Sequence, residues 1–223
     1  MRGRRTKTPA VALTDLGPLA QLKAGRLGRR IPQLIAGLVL YGFSLALMVR
    51  GALGLAPWDV LHYGLTLHLP ITIGQAIIAM SFVVLLLWIP LREKPGVGTV
   101  ANAIVVGLAA DATLAVLGPV DGLIVRIALL VAGVVLNGFA TALYIGSQLG
   151  RGPRDGLMTG LSRVTGRSLR LVRTALEVAV VIAGMLLGGV AGAGTILYAL
   201  AIGPLAQAML PWVIVDLDPP AAL

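Results

Sequence analysis

The 223-residue chain contains no cysteine, and only 12% of its residues are charged, about half the share in a soluble domain. The first absence excludes disulfides, thiol nucleophiles and cysteine-based metal centres. Two histidines, His62 and His68, are too few to build a metal site by themselves. Nor does the sequence hold a Walker-type phosphate loop, a G-x-S-x-G elbow or an H-E-x-x-H helix. Neither an enzyme nor a cofactor or metal is therefore expected, and an ATP-driven pump would need a separate ATPase subunit.

What the chain does have is apolar length. Hydrophobic residues make up 57% of it, mean hydropathy is +0.94, and the apolar residues fall in long runs. The 29 glycines suit close approach of helices in lipid. These features indicate an all-α integral membrane protein whose first partner is the lipid bilayer. The net charge of +9 follows from position: of 18 Lys and Arg, eight lie in the first 30 residues and six between Arg151 and Arg173. Such clustering sets topology, so no nucleic-acid partner is expected. The basic segment 1–29, with its weak apolar stretch broken by Asp15 and Pro18, reads as a cytosolic tail ahead of an uncleaved first span.

Six segments are long and apolar enough to span: 31–49, 71–91, 97–117, 123–146, 170–188 and 193–213. With both termini in the cytoplasm, Arg92, Lys94 and the stretch Arg151–Arg173 fall inside, and only Arg50 and Arg126 fall outside. Trp88 and Trp212 are then expected at the inner interface and Trp58 at the outer one.

A shift of 96 residues lays 30–114 on 126–210 without a gap, and roughly a third of the positions are identical. Arg30-Ile31 matches Arg126-Ile127, Gly42-Phe43 matches Gly138-Phe139, and Gly98-Thr99 matches Gly194-Thr195. The organisation read from this is a first three-span repeat, 30–114, an outer loop, 115–125, a second repeat, 126–210, and a short tail, 211–223. An odd number of spans inverts the second copy, the plan of many secondary transporters.

The sharpest match is GLAPWDVLHYGL, 54–65, against GRGPRDGLMTGL, 150–161, where Gly54, Pro57 and Asp59 align with Gly150, Pro153 and Asp155. Pro57 and Pro153 suit the first turn of a helix, which places each aspartate near a positive helix end. Each motif is expected to be a short amphipathic helix, lying in the interface or dipping in as a re-entrant segment. On this reading Asp59 and Asp155 shape entrances on opposite sides, or else only complete their own helix turns. Asp59, His62, Tyr63 and Thr66 would share one face.

Among polar residues within spans, Asp111 in VVGLAADATLAVL is the foremost candidate for a proton or cation site. Its partner in the second copy is Gln207. Asn102 matches Tyr198, Tyr41 matches Asn137 and Thr99 matches Thr195, all able to bond across helices or touch a ligand. Glu177, four residues after Arg173, is expected to form an ion pair with it. Arg163, Arg167 and Arg170 form a basic stripe suited to anionic lipid. Arg154 either folds onto Asp155 or points into a cytoplasmic vestibule.

The stretch GRGPRDGLMTGLSRVTGRSLRLVRTALE with GAGTILYALAIGPLAQ, and GLAPWDVLHYGL with GVGTVANAIVVGLAAD, resembles the YczE-like membrane proteins, related to the broader YitT group. The likeness covers about 30–210. It implies a multi-spanning protein of the bacterial inner membrane, and transport as the function; it supplies no site residues. The function expected is movement of a small-molecule solute by alternating access, the alternative a non-transport accessory to a partner enzyme, exporter or lipid process. Gly184, Gly188 and Gly192 also leave room for a homodimer.

Overall fold

Apolar runs in lipid must satisfy their backbone groups internally, which favours helices. In the computed structural model, which describes residues 17–217, the regular elements are all α-helices. They are α1 (Pro18–Lys23), α2 (Leu27–Gly51), α3 (Pro57–Thr66), α4 (Ile73–Leu91), α5 (Val97–Val116), α6 (Leu123–Gly146), α7 (Pro153–Thr165), α8 (Leu169–Leu186) and α9 (Ala193–Val213). Most of the basic tail, residues 1–16, lies outside the described residues, as does 218–223.

Five helices, α2, α4, α5, α6 and α9, are long and apolar enough to cross a membrane. The sixth expected span departs from them. α8 has 18 residues, about 27 Å at 1.5 Å per residue, and its first half carries Arg170, Arg173 and Glu177. Arg173 and Glu177 belong to the interior described below, and Arg170 is exposed near the start of the helix, so α8 lacks the composition of a lipid-facing span.

The repeat is visible in the helix boundaries. α6, α7, α8 and α9 each begin 96 residues after α2, α3, α4 and α5. At the centre α2 packs antiparallel on α6: Gly37 abuts Ala140 and Tyr144, and Gly51 abuts Arg126 and Leu130. Both helices have α-helical ends whose last carbonyls need donors. The matched arginines supply them across the pair. Arg30, wholly buried, donates to the carbonyls of Ser147 (2.8 Å) and Gln148 (2.7 Å) beyond the end of α6. Arg126 donates to those of Gly51 (2.8 Å) and Ala52 (2.7 Å) at the end of α2. A cation at a helix C-terminus is favourable on both counts, hydrogen bonding and dipole.

Each short motif helix packs on the other half. α3 lies against α8, and α7 against α4. Gly184 of α8 meets the backbone of Val60 and Leu61, whereas its counterpart Trp88 of α4 fills the space over Gly156. The preceding loops are exchanged likewise. Gly98 N–H donates to the Leu149 carbonyl and Gly194 N–H to the Leu53 carbonyl, both at 2.8 Å. Gly54 and Gly150 hold φ of +121° and +131° there, a conformation that favours glycine, and a Cβ on Gly54 would strike the backbone of Gly192 and Thr195.

The halves differ in one place. α4 packs along α5, with Gly74 and Gly107 in backbone contact and a Cβ on either blocked. α8 has almost no contact with α9, and Gly203, the counterpart of Gly107, has nothing within 4 Å of where its Cβ would stand.

Candidate functional site

α3 and α7 start at proline, Pro57 and Pro153, as the missing N–H at a first turn allows. Their N-termini meet. Arg154 Nη2 lies 3.6 Å from Asp59 Oδ1, and its guanidinium sits 5.3 Å from the centroid of the Trp58 ring. Asp59, 3% exposed, also takes His62 Nδ1 at 3.0 Å, one turn along α3. The two motif positions that differ most, Trp58 and Arg154, therefore touch one another.

This arrangement corrects several expectations. Asp59 and Asp155 do not form separate entrances, because the exchange of α3 and α7 between halves brings both N-termini to one point. Arg154 pairs with Asp59 of the other motif rather than folding onto Asp155. α3 is not an interfacial amphipathic helix: Pro57, Trp58, Asp59, Val60, His62 and Gly64 are all buried. Trp58 and Trp88 are not interfacial anchors either, at 6% and 3% exposed. Trp58 stacks beneath a cation, and Trp88 Nε1 donates to the Pro153 carbonyl at 3.0 Å, tying α4 to the first turn of α7. Trp212 is exposed.

Above the Asp59–Arg154 contact lies a cavity of about 230 Å³ between the halves. Tyr41 of α2, Ser81 of α4 and Asn102 of α5 face it from the first half. From the second come Thr141 and Tyr144 of α6, Arg154 and Asp155 of α7, Arg173 of α8, and Tyr198 and Gln207 of α9. A side chamber of about 70 Å³ shares Tyr41, Arg154, Asp155, Arg173 and Tyr198 with it and adds Trp58 and Glu177. A wider depression, about 490 Å³, opens at the surface among Arg92, Glu93, Lys94, Arg151 and Arg163. Gln21, Trp88 and Thr159 also line it.

Hydrogen bonds order the cavity wall. Tyr144 donates its hydroxyl to Asp155 Oδ2 at 2.8 Å, and the Tyr41 ring meets Tyr144 edge-on at 6.3 Å. The Tyr198 hydroxyl donates to Asn137 Oδ1 (2.9 Å) and lies 3.3 Å from that of Tyr41. Asn137 in turn donates to Ser44 Oγ at 2.8 Å, and Ser44 to the Tyr41 carbonyl at 2.7 Å. Of the pairs Tyr41/Asn137 and Asn102/Tyr198, matched by the repeat, these bonds join Tyr41, Asn137 and Tyr198, and Asn102 lines the same cavity. Arg173 Nε donates to Glu177 at 2.8 Å, the ion pair their spacing predicts.

Of the candidates from sequence, Asn102, Arg154, Asp155, Tyr198 and Gln207 line the cavity, and Asp59 backs it through Arg154. Asp111 does not line it. Its carboxylate accepts the Gly74 N–H at 2.8 Å and the Thr72 hydroxyl, fastening the start of α4 to α5. A carboxylate at a helix N-terminus is well placed to cap orphan donors, so Asp111 belongs to the closed α4/α5 contact. Gly54 and Gly150 hold the exchanged loops. Thr99 donates to the Arg151 carbonyl at 2.7 Å, and Thr195 accepts the Gly192 N–H at 3.1 Å, both at loop junctions. Arg163, from the basic stripe, donates to Glu93 at 2.7 Å. Gly184 and Gly192 pack within the chain, against α3 and Leu53. Sequence reasoning did not single out Tyr144, Thr141 or Ser81 for the site; Tyr144 aligns with Met48, so no repeated polarity marks it.

Comparison with other proteins agrees with this picture of a membrane protein. A protein of Haemophilus influenzae, named only as an uncharacterised protein, is 40% identical over 179 residues, covering 80% of this chain and 82% of its own. The uncharacterised membrane protein YczE of Bacillus subtilis is 34% identical over 178 residues, 79% of this chain and 83% of its own. YyaS of the same organism is 25% identical over 179 residues, 78% and 89% of the two chains. No solved structure matches. Over residues 28–211 the chain matches the model of a family of unknown function, DUF6198, and so, as its likeness to YczE also indicates, this multi-pass membrane protein belongs to that family.

Proposed function

We propose that the protein moves a small polar solute across the bacterial cytoplasmic membrane by alternating access between two inverted repeats, with α8 as the sixth span. The observation that carries this reading is the inequality of the two matched helix pairs. α4 and α5 are closed on each other at Gly74, Gly107 and Asp111, while α8 and α9 stand apart at Gly203 beside the central cavity. One pair of helices, written twice, occupies two states. Interconversion of those states would open the cavity to one side and then the other, as repeat-built transporters do.

The charge distribution supplies the orientation. With Arg92, Lys94 and Arg151–Arg173 on the cytoplasmic side, both termini are cytoplasmic. The parted end of α8 and α9 then faces the cytoplasm and the Asp111 fastening faces outward. Asp111 acts as the outer latch in this account, in place of a proton or cation site. An accessory role for a partner enzyme, exporter or lipid process has no use for one helix pair held in two states.

The test is counterflow in proteoliposomes loaded with a mixture of small polar metabolites, read by mass spectrometry. Protein-dependent exchange of at least one solute is expected. It should stop when Thr72→Cys and Asp111→Cys are cross-linked, which locks α4 on α5. Equal exchange by locked and free protein, or none above empty liposomes, would overturn the reading.

A further inference from the structure

The charges on the cavity wall restrict what it can hold. Arg154 forms its ion pair with Asp59 at 3.6 Å and its stacking on Trp58, but no described residue accepts a hydrogen bond from it. Its planar fork, at the meeting point of both chambers, is thus free to bind a carboxylate with two parallel bonds. Trp58 lines the smaller chamber, and its Nε1 is a second buried donor without a partner. The next residue to Arg154 has the opposite chemistry. Asp155 takes the Tyr144 hydroxyl on Oδ2 only, which leaves Oδ1 for a donor from the cavity. The Tyr41 and Tyr144 rings beside it suit a cation.

The two chambers together carry two positive groups, Arg154 and Arg173, and two negative ones, Asp155 and Glu177. Asp59, behind Arg154, adds negative charge on the side away from the main cavity. A simple anion would face Asp155 and Asp59, and a simple cation would face both arginines; like charges at short range in a low dielectric are costly. The main chamber, about 230 Å³, lies below the size of about 300 Å³ at which drug-sized pockets begin.

We propose that the central cavity binds a small zwitterion, an amino acid or betaine, with its carboxylate on Arg154 and its ammonium group against Asp155. This names the solute class of the transport reading, and it concerns binding alone.

Purified protein in detergent would be screened by thermal shift and calorimetry against α-, β- and γ-amino acids and glycine betaine. For each, the deaminated acid and the decarboxylated amine would be run beside it, as propionate and ethylamine for alanine. At least one zwitterion should bind, with both half-molecules weaker by about tenfold or more. Arg154→Lys, which keeps the charge facing Asp59 but loses the fork, should weaken that zwitterion about tenfold without lowering the unfolding temperature of the empty protein. Asp155→Asn should weaken the zwitterion and leave its deaminated acid unaffected. The proposal is overturned if the acid or the amine alone binds as tightly as the zwitterion, or if no zwitterion in the panel binds. Binding without counterflow would sink transport and leave this site standing, and counterflow of a different solute class would do the reverse.

Discussion

Single residues in this protein act mainly on backbone groups of the opposite half. Arg30 is the clearest case, because a guanidinium is fully buried and spent on carbonyls of the α1 region and beyond α6. Arg30→Met is expected to lower stability by about 3 kcal/mol or more, since each charge-assisted bond is worth about 1.5–3 kcal/mol. Arg126→Met removes two such bonds, one of them exposed, and should lower it by about half as much. Unfolding midpoints in detergent would check both. The matched arginines were legible in the sequence as a repeat, but their role was not. Counted for topology, Arg126 looks like an exception on the outer side; in the fold it caps α2. Asp111 shows the same limit. A lone carboxylate in an apolar helix invites a functional reading, and only the position of Thr72 and Gly74 beside it reveals a helix cap. A statistical preference of tryptophan points Trp58 and Trp88 to interfaces, but the arginine and glycine that receive them, Arg154 and Gly156, lie in the other repeat.

Among the elements, the pattern of hydrophobic runs and motifs located nearly every helix. The first-turn prolines, the motif glycines and the 96-residue offset all survive in the observed starts. What a linear reading could not supply was the exchange of α3 and α7, since each motif is followed in sequence by the helix of its own half. That exchange is what joins Arg154 to Asp59 and creates the site. The closed and parted helix pairs can be tested through their glycines. Gly107→Ala drives a Cβ into the Gly74 carbonyl oxygen, and such overpacking costs about 1–3 kcal/mol. Gly203→Ala has open space and should change the unfolding midpoint by less than about 0.5 kcal/mol equivalent. Equal effects from the two substitutions would mean that the α4/α5 and α8/α9 contacts do not differ in the membrane.

At the scale of the whole molecule, the proposed mechanism depends on which side each helix end faces. The absence of cysteine makes the topology simple to measure, because an introduced thiol is the only one present. Lys94→Cys should react with a membrane-impermeant maleimide only after cells are opened, and Gly118→Cys, in the loop after α5, should react in intact cells. The reverse pattern would invert the assignment of latch and opening to the two sides. In the proposed transport cycle one helix pair, present twice, alternates between two states. Spin labels on Ser168→Cys and Gln207→Cys, the counterparts of the Thr72 and Asp111 latch, would report it in liposomes by pulsed electron resonance. The account predicts a long and a short distance between α8 and α9, with Gly107→Ala shifting weight to the short one as α4 is forced off α5. A single distance, unmoved by Gly107→Ala, would contradict it.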